Sequence, residues 1–183
     1  MKKIFYMLSI IFIAQFTGCI VFHSVSYEVS VNEDGTGTAL LTIEDINTDA
    51  TTKEAIDEDV KSILEHGLKS QQFVDDMKAE GKILISRNVI VENEKLNAIV
   101  SYEFSEISRV EGLQFDNPYY YLTIPVEDSV ISTNGQVTKT TEYQRIVWDK
   151  SIKTLKFKMY SDDTNREGLT SLAQYYLKDI FCL

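Results

Sequence analysis

The stretch Val25-Ser26-Tyr27-Glu28-Val29-Ser30-Val31 carries the clearest secondary-structure pattern in this chain of 183 residues. The valines and Tyr27 alternate with the serines and Glu28, which is the period of a strand buried on one face. Asp34-Gly35, a dipeptide typical of tight hairpin turns, follows directly. Thr38–Ile46 then resumes an apolar pattern. The sequence therefore predicts an antiparallel hairpin.

Residues 47–81 change from a strand period to a helical period. Thr48 or Asp49 can cap the first helix, and we expect Gly67 to kink or end it. Gly81 is expected to close a second helix as a C′ glycine. The apolar positions of the first helix recur at helical spacing and comprise Ile56, Val60, Ile63 and Leu64.

The remainder of the chain is rich in strand patterns and closes with a helical one. We expect strand pairs over Ile83–Val91 with Asn97–Phe104, over Val130–Thr133 with Val137–Thr141 around a type I′ turn at Asn134-Gly135, and over Arg145–Trp148 with Ile152–Tyr160. Pro118–Val126 is a further, tyrosine-rich strand. The last helix spans Leu169–Ile180, with Asp162, Asp163 or Thr164 as its cap.

This order of elements predicts one α+β domain over residues 24–183. Short turns between successive strands favour an antiparallel β-sheet meander, with helices packed on one face and a closing C-terminal helix. The outline is similar to that of helix-grip folds, whose curved sheets wrap apolar ligands. Asp34-Gly35, the helix after it and Val100-Ser101-Tyr102-Glu103-Phe104-Ser105 also resemble LppM-type bacterial lipoprotein domains, which implies a role in handling lipid-like molecules.

The first eighteen residues have the organisation of a secretory signal peptide. Lys2 and Lys3 supply a charged n-region, and Ile4–Phe16 supplies an apolar h-region. A transmembrane helix needs about 20 apolar residues, and this run is shorter and contains Ser9 and Gln15. We therefore expect residues 1–18 to be removed on export.

Phe16-Thr17-Gly18-Cys19 resembles the lipobox of bacterial lipoproteins. That resemblance implies cleavage between Gly18 and Cys19, a diacylglyceryl group on the Cys19 thiol, and a palmitate-type acyl chain as part of the lipid anchor. Ile20 lacks the aspartate that retains many lipoproteins in the inner membrane, which favours the outer membrane where two exist. The alternative is an ordinary signal peptide followed by a chance cysteine.

Residues 19–23 form a lipidated N-terminus with a very short tether. Four extended residues reach only about 13 Å, so the domain is expected to lie close against the bilayer. If Cys19 is lipidated, Cys182 has no partner within the chain and is either a free thiol or part of an intermolecular disulfide.

The charge balance limits the classes of partner. Lysine and arginine number 18 against 28 acidic residues, and removal of residues 1–18 would change the net charge from −10 to −12. Such a charge repels phosphate backbones and opposes adsorption to anionic headgroups. We therefore expect no nucleic acid partner, and membrane residence through acyl chains alone.

The sequence contains no recognisable catalytic or metal-binding motif, and we expect no cofactor. His23 and His66 lack neighbouring ligands at metal spacing. The acidic runs Asp57–Asp59 and Asp75-Asp76 fit a solvated helix face better than a cation site. Alternation sends Tyr120 to one face of its strand and Tyr119 and Tyr121 to the other, either for packing or as a ligand-stacking platform.

These features predict a membrane-anchored cell-envelope lipoprotein with a non-catalytic binding or structural role. The expected partner is an envelope protein or an apolar, lipid-like ligand, and the concave face of the sheet is the candidate surface. Two alternatives stay open: an envelope hydrolase using paired carboxylates, and a surface-exposed adhesin or antigen. Only Cys19 and the Gly18–Cys19 bond are assigned as site residues.

Overall fold

The computed structural model describes residues 19–161 and 167–181 of the 183. The helices are α1 (Lys53–Ser62), α2 (Gln71–Ala79) and α3 (Ala173–Phe181), with a π-helical segment at Ile63–Lys69 and a 3₁₀ turn at Ile107–Arg109. The strands are β1 (Ile20–Val21), β2 (Ser24–Val31), β3 (Gly37–Glu44), β4 (Asn47–Thr48), β5 (Lys82–Glu92), β6 (Lys95–Phe104), β7 (Gln114–Asp116), β8 (Tyr119–Pro125), β9 (Val130–Thr133), β10 (Gln136–Lys139), β11 (Tyr143–Asp149), β12 (Thr154–Tyr160) and β13 (Thr170–Ser171).

These strands form three antiparallel sheets. The largest has six strands in the order β5-β6-β3-β2-β12-β9, the second has four in the order β10-β11-β8-β7, and a small one joins β1, β4 and β13. The predicted α+β class with antiparallel sheets and a closing C-terminal helix is therefore confirmed. The strands are nevertheless divided among separate sheets, so the chain does not form a single meander.

The predicted hairpin of β2 and β3 is confirmed. Val31 pairs with Gly37 and Ser24 with Glu44, which gives the two strands one continuous register. In the turn, the Asp34 carboxylate accepts hydrogen bonds from the Thr36 N–H (3.1 Å) and the Thr36 hydroxyl (2.7 Å). These bonds favour the charged carboxylate and lower the pKa of Asp34.

The predicted hairpin of β5 and β6 is also confirmed. Its turn is formed by Asn93 and Glu94, which have φ values of 51° and 64°. Positive φ at both central residues is the signature of a type I′ turn, whose twist matches that of the strands. A glutamate therefore occupies a left-handed position that glycine usually takes.

Two other predicted hairpins are wrong. Val130–Thr133 does not pair with Val137–Thr141, because β9 joins β12 in the six-stranded sheet while β10 joins β11 in the four-stranded sheet. Arg145–Trp148 does not pair with Ile152–Tyr160, because β11 pairs with β8 and β10 whereas β12 pairs with β2 and β9. In both cases a short connection carries the chain from one sheet to the other.

Asn134 and Gly135 explain the first of these crossings. The Asn134 Oδ1 accepts hydrogen bonds from the Trp148 Nε1–H and the Lys156 N–H, both at 2.8 Å, and its Nδ2 donates to the Thr154 carbonyl at 2.9 Å. A Cβ at Gly135 would lie 2.7 Å from the Trp148 Nε1. Asn134 therefore bonds the buried indole of Trp148, and Gly135 leaves room for the backbone to pass close to it.

Side chains from both large sheets fill the space between them. Trp148, on β11, is fully buried and lies 5.9 Å from the Phe157 ring on β12. Tyr27 stacks on Phe157 at 4.9 Å. The other fully buried members of this first cluster include Val29, Leu113, Leu122, Ile146 and Leu155.

A second cluster lies beneath α1 and α3, on the same face of the six-stranded sheet. Leu96 of β6 and Leu172, just before α3, are fully buried there. Tyr176 of α3 donates a hydrogen bond to the Val89 carbonyl at 3.1 Å, which attaches the last helix to the outermost strand. As predicted, the helices pack on one face of the sheet, and the side chains of the opposite face point into solvent.

The helix termini differ from the prediction. Helix α1 begins at Lys53, and its cap is Thr52, whose Oγ1 accepts the Ala55 N–H at 3.3 Å. Thr48 is instead paired in β4 with Ile20 and Thr170, because the small sheet offers it backbone partners. Gly67 lies within the π-helical segment.

Other terminal predictions have mixed outcomes. Gly81 follows α2 with φ +77°, as expected. Helix α3 begins at Ala173, so Leu169 precedes it. Asp162, Asp163, Thr164 and Cys182 lie outside the described residues. Residues 19–23, predicted as a tether, already contain the strand β1.

Candidate functional site

The outer face of the four-stranded sheet carries the predicted tyrosine group. Tyr120 points inward, where its ring lies 4.8 Å from that of Phe115. Tyr119 and Tyr121 point outward, and Tyr119 is 48% exposed. The alternation predicted for Tyr119, Tyr120 and Tyr121 is therefore confirmed.

Arg145 lies at the centre of this outer face, on β11. Its cross-strand neighbours are Thr123 on β8 and Thr138 on β10. The Arg145 Nε–H donates to the Thr123 Oγ1 at 3.0 Å. Its Cζ lies 4.6 Å from the centroid of the Tyr121 ring and 5.2 Å from that of the Tyr143 ring.

Strand geometry places the two rings on either side of the guanidinium. Tyr143 precedes Arg145 by two residues on the same strand, so its side chain is on the same face. Tyr121 pairs with Val147, two residues beyond Arg145 in the other direction. We call the surface made by Tyr121, Thr123, Thr138, Tyr143, Arg145 and Val147 the Arg145 face.

This arrangement holds a cation in a fixed place on an exposed surface. A guanidinium near an aromatic ring gains about 0.5–1 kcal/mol at an exposed site, and Arg145 has two such rings. Among the described residues it has no acidic partner within 4.0 Å. Tyrosine and arginine are also among the residues enriched at binding hot spots. The Arg145 face can therefore offer both flat contact area and directional donors.

The open face of the six-stranded sheet differs in its charge pairing. Lys156 bonds Glu28 at 2.8 Å, and Lys158 forms a salt bridge with Glu44. Two shallow depressions, of about 400 and 260 Å³, lie along this face and remain open to solvent. The cations on this face are thus already matched by carboxylates.

A group of ionisable side chains lies inside the fold near the start of β5. Tyr27 and Glu111 interact through their side chains, which by itself raises the pKa of Tyr27 and lowers that of Glu111. Lys82 forms a salt bridge with Glu80 at 3.0 Å, and its Nζ lies 5.6 Å from the Tyr102 ring centroid. Loss of hydration raises the pKa values of Tyr27, Tyr102 and Glu111.

This internal group is separate from the nearer depression. The depression is lined by Gly81 and Ile83, and Ile83 points to the opposite face of β5 from Lys82. Tyr27 and Tyr102 belong to the first hydrophobic cluster. We therefore assign the group to the interior packing of the fold.

The acidic helix residues were predicted to be solvated, and most are. Asp57 pairs with Lys53, and Asp75 and Asp76 accept hydrogen bonds from Gln71 and Gln72.

The prediction is wrong for Asp59, which is 1% exposed. The Thr48 hydroxyl donates to Asp59 Oδ2, while Oδ1 has no partner among the described residues. Burial raises the pKa of Asp59, and its position on the inner side of α1 explains the difference.

Cys19, the predicted lipidation site, is exposed at the start of the described chain. Its backbone N–H donates to the Asp49 Oδ1 at 2.6 Å, and the Asp49 N–H donates to the Cys19 carbonyl at 3.3 Å. Strand β1 begins at the next residue. Gly18 and the rest of the predicted signal peptide lie outside the described residues.

The histidines lie apart from each other. The His23 ring is 5.1 Å from that of Tyr160, and His66 lies in the π-helical segment. Within residues 19–161 and 167–181, no group of three His, Cys, Asp or Glu side chains is placed to hold a metal ion.

Sequence reasoning missed Arg145 and Tyr143 as site residues. The alternation Tyr143-x-Arg145-x-Val147 places these three on one face of a strand. Their proximity to Tyr121 depends on the pairing of β11 with β8, which the sequence analysis did not predict.

Two further findings bear on the class of protein. In the part of the chain that the structure describes, no helix has the length and apolar character needed to cross a membrane. No protein-family model matches the chain, and no curated protein matches it significantly.

Proposed function

We propose that this chain is a lipid-anchored protein of the bacterial cell envelope and that it binds a ligand, without catalysis, on the Arg145 face. The observation that carries the proposal is the arginine itself. Arg145 is held beside two tyrosines on an exposed sheet, and no carboxylate among the described residues neutralises it. An ordered, unneutralised cation beside aromatic rings is suited to recognition.

The proposed anchor is Cys19. Support comes from the signal-like residues 1–18, from the exposure of Cys19 and from the start of β1 at Ile20. A diacylglyceryl group there, with an amide-linked palmitate-type chain, would hold the domain at the membrane surface. Ile20 after the cysteine favours the outer membrane where the cell has two.

The chemistry of the exposed side chains favours a binding role over hydrolysis. Cleavage of a glycosidic bond needs two carboxyl groups about 5–10 Å apart across the substrate. Asp57 of α1 and Asp75 and Asp76 of α2 instead pair with neighbours on their own helices. Tyrosine rings and a guanidinium provide contact area and hydrogen-bond donors, which suit holding a ligand.

One experiment in cells tests the anchor and the surface together. A photo-crosslinking amino acid replaces Val147 at the Arg145 face or, as a control, Ser101 on the open face of the six-stranded sheet. Each version is expressed with Cys19 intact and as Cys19→Ala, in the presence of a fatty-acid probe. Labelling, membrane fractionation and intact mass are then measured.

We expect the probe to label only chains with Cys19, and Cys19→Ala to move to the soluble fraction. We expect a discrete mass adduct from position 147 and none from position 101. Labelling or membrane retention of Cys19→Ala would contradict the anchor. Equal adduct yields at positions 147 and 101 would contradict the assigned surface.

A further inference from the structure

The pairing of β1 with β4 continues as far as Cys19. Ile20 lies opposite Thr48, so the same antiparallel register places Cys19 opposite Asp49. The Asp49 N–H donates to the Cys19 carbonyl at 3.3 Å, as in a hydrogen-bonded pair of an antiparallel ladder. Cys19 is therefore held by the small sheet itself, although it precedes the first residue of β1.

The second hydrogen bond of this pair runs to a side chain. In an ordinary hydrogen-bonded pair, the Cys19 N–H would donate to the Asp49 carbonyl oxygen. It donates instead to the Asp49 Oδ1 at 2.6 Å. Carboxylate acceptors form shorter and stronger hydrogen bonds than neutral acceptors. The backbone nitrogen of the residue proposed to carry the lipid thus lies against a negatively charged group.

The neighbours of Asp49 hold its backbone on both sides. Thr48 is fully buried in β4, the central strand of the small sheet. Ala50 is also buried, and its N–H donates to the Thr48 hydroxyl at 3.0 Å. Asp49 itself is exposed. Because its backbone is held, only a short side chain has to be ordered to make the contact with Cys19.

Cleavage between Gly18 and Cys19 would change the chemistry of this nitrogen. In the uncleaved chain it is an uncharged amide with one hydrogen, whereas after cleavage it is an α-amino group, which is mostly protonated at neutral pH. An ammonium group beside a carboxylate forms an ion pair in place of a hydrogen bond from a neutral donor. The pKa of Asp59 is raised mainly by burial and further by the charge of Asp49, and a positive charge at Cys19 would offset part of that repulsion.

We infer that Asp49 binds the α-ammonium group that cleavage produces at Cys19 and so positions the lipid-bearing residue on the small sheet. The inference rests on the proposed function, because it requires the proposed cleavage and names the group that receives the new N-terminus. Attachment of an amide-linked acyl chain would remove the positive charge and leave one N–H for the same oxygen. The ion pair therefore belongs to the cleaved protein before the acyl chain is attached.

The test measures how readily the α-amino group of Cys19 reacts, because only the neutral amine is a nucleophile. The full chain is expressed in a bacterial host that cleaves lipoproteins without attaching an amide-linked chain, and the product is purified in phosphatidylcholine nanodiscs. Limiting acetic anhydride is added at about pH 6.5 and at about pH 9.5, below and above the ordinary titration of an α-amino group. Mass spectrometry of the N-terminal peptide gives the acetylation rate in the parent, in Asp49→Asn and in the exposed control Asp116→Asn.

We expect Asp49→Asn to raise the acetylation rate at the lower pH by about two- to fivefold, the ratio that corresponds to an exposed ion pair. Asp116→Asn removes the same charge elsewhere on the surface and should leave the rate unchanged. At the higher pH the amine is neutral in all three proteins, so the three rates should converge. A β1 strand that is merely looser in Asp49→Asn would instead raise the rate at both pH values.

These outcomes separate the inference from the proposed anchor. A product that is cleaved and lipidated at Cys19 but reacts equally in the parent and in Asp49→Asn at the lower pH would overturn the inference and leave the anchor in place. A faster reaction of Asp49→Asn at both pH values would do the same. A product that still begins at Met1 would overturn the anchor, and the inference with it.

Discussion

At the scale of single residues, Glu111 shows how the fold acts on ionisation. It follows the 3₁₀ turn with φ 50°, and its side chain is half-buried. Loss of hydration raises its pKa, whereas the interaction with Tyr27 and the charge of Lys82 oppose that rise. Desolvation is the largest of these effects, so the folded state holds the proton more tightly than the unfolded state.

This environment predicts a pH dependence of stability. Because folding raises the pKa of Glu111, its contribution to the free energy of unfolding is largest below the unfolded pKa, near 4.5, and is lost as the pH rises through the folded pKa. Glu111→Gln cannot ionise. We expect the stability of Glu111→Gln relative to the parent to increase from pH 4 to pH 7 in urea unfolding. Exposed Glu103→Gln is the control, and a flat difference for Glu111→Gln would contradict the prediction.

At the scale of elements, the connections between strands decide which sheet each strand joins. The link between β9 and β10 passes over Trp148, and Asn134 bonds the indole together with β12. A side-chain amide thus takes the place of a strand partner at the point where the chain leaves one sheet for the other.

Removal of this amide is expected to weaken the joint between the sheets. Asn134→Ala leaves the Nε1–H of the fully buried Trp148 without its acceptor, and an unsatisfied buried donor costs about 1–3 kcal/mol. We expect a loss of that size in the free energy of unfolding, measured in urea by the fluorescence of Trp148, the single tryptophan. Asn117→Ala, at an exposed turn, should cost much less. Equal losses in the two variants would contradict this role.

The local pattern of the sequence identifies elements better than it identifies their neighbours. The alternation of side chains between two faces predicted strand β2 and the outward direction of Tyr121. It could do so because a period of two is a property of each strand by itself. It could not show that β11 pairs with β8, because that choice depends on Trp148 and Asn134 packing between the sheets. Arg145 was missed for the same reason. Asp59 was misplaced because a carboxylate on a helix is ordinarily solvated.

At the scale of the whole molecule, two clusters of buried side chains share one sheet. The cluster between the large sheets contains Trp148, and the cluster beneath α1 and α3 contains Leu96. Strand β6 contributes to both, since Tyr102 belongs to the first and Leu96 to the second. Loss of one cluster should therefore remove support from the other.

This shared strand predicts a single unfolding transition. Leu96→Ala deletes a fully buried side chain, which typically costs about 2–5 kcal/mol. We expect the urea midpoint to fall by the same amount in circular dichroism, which reports the helices, and in Trp148 fluorescence, which reports the other cluster. Leu40→Ala, at a side chain 39% exposed, should shift both midpoints little. A shift seen in circular dichroism alone would show that the clusters unfold separately.

The immediate start of β1 after Cys19 has a consequence for where a ligand can be met. If that cysteine carries the acyl chains, there is no slack between the lipid and the fold, and a domain of this size is roughly 40 Å across. The Arg145 face then stays in the layer within roughly 40 Å of the membrane surface. Molecules in the bulk gain nothing from such an arrangement, whereas one confined to the same layer encounters the protein at an effective concentration on the order of millimolar.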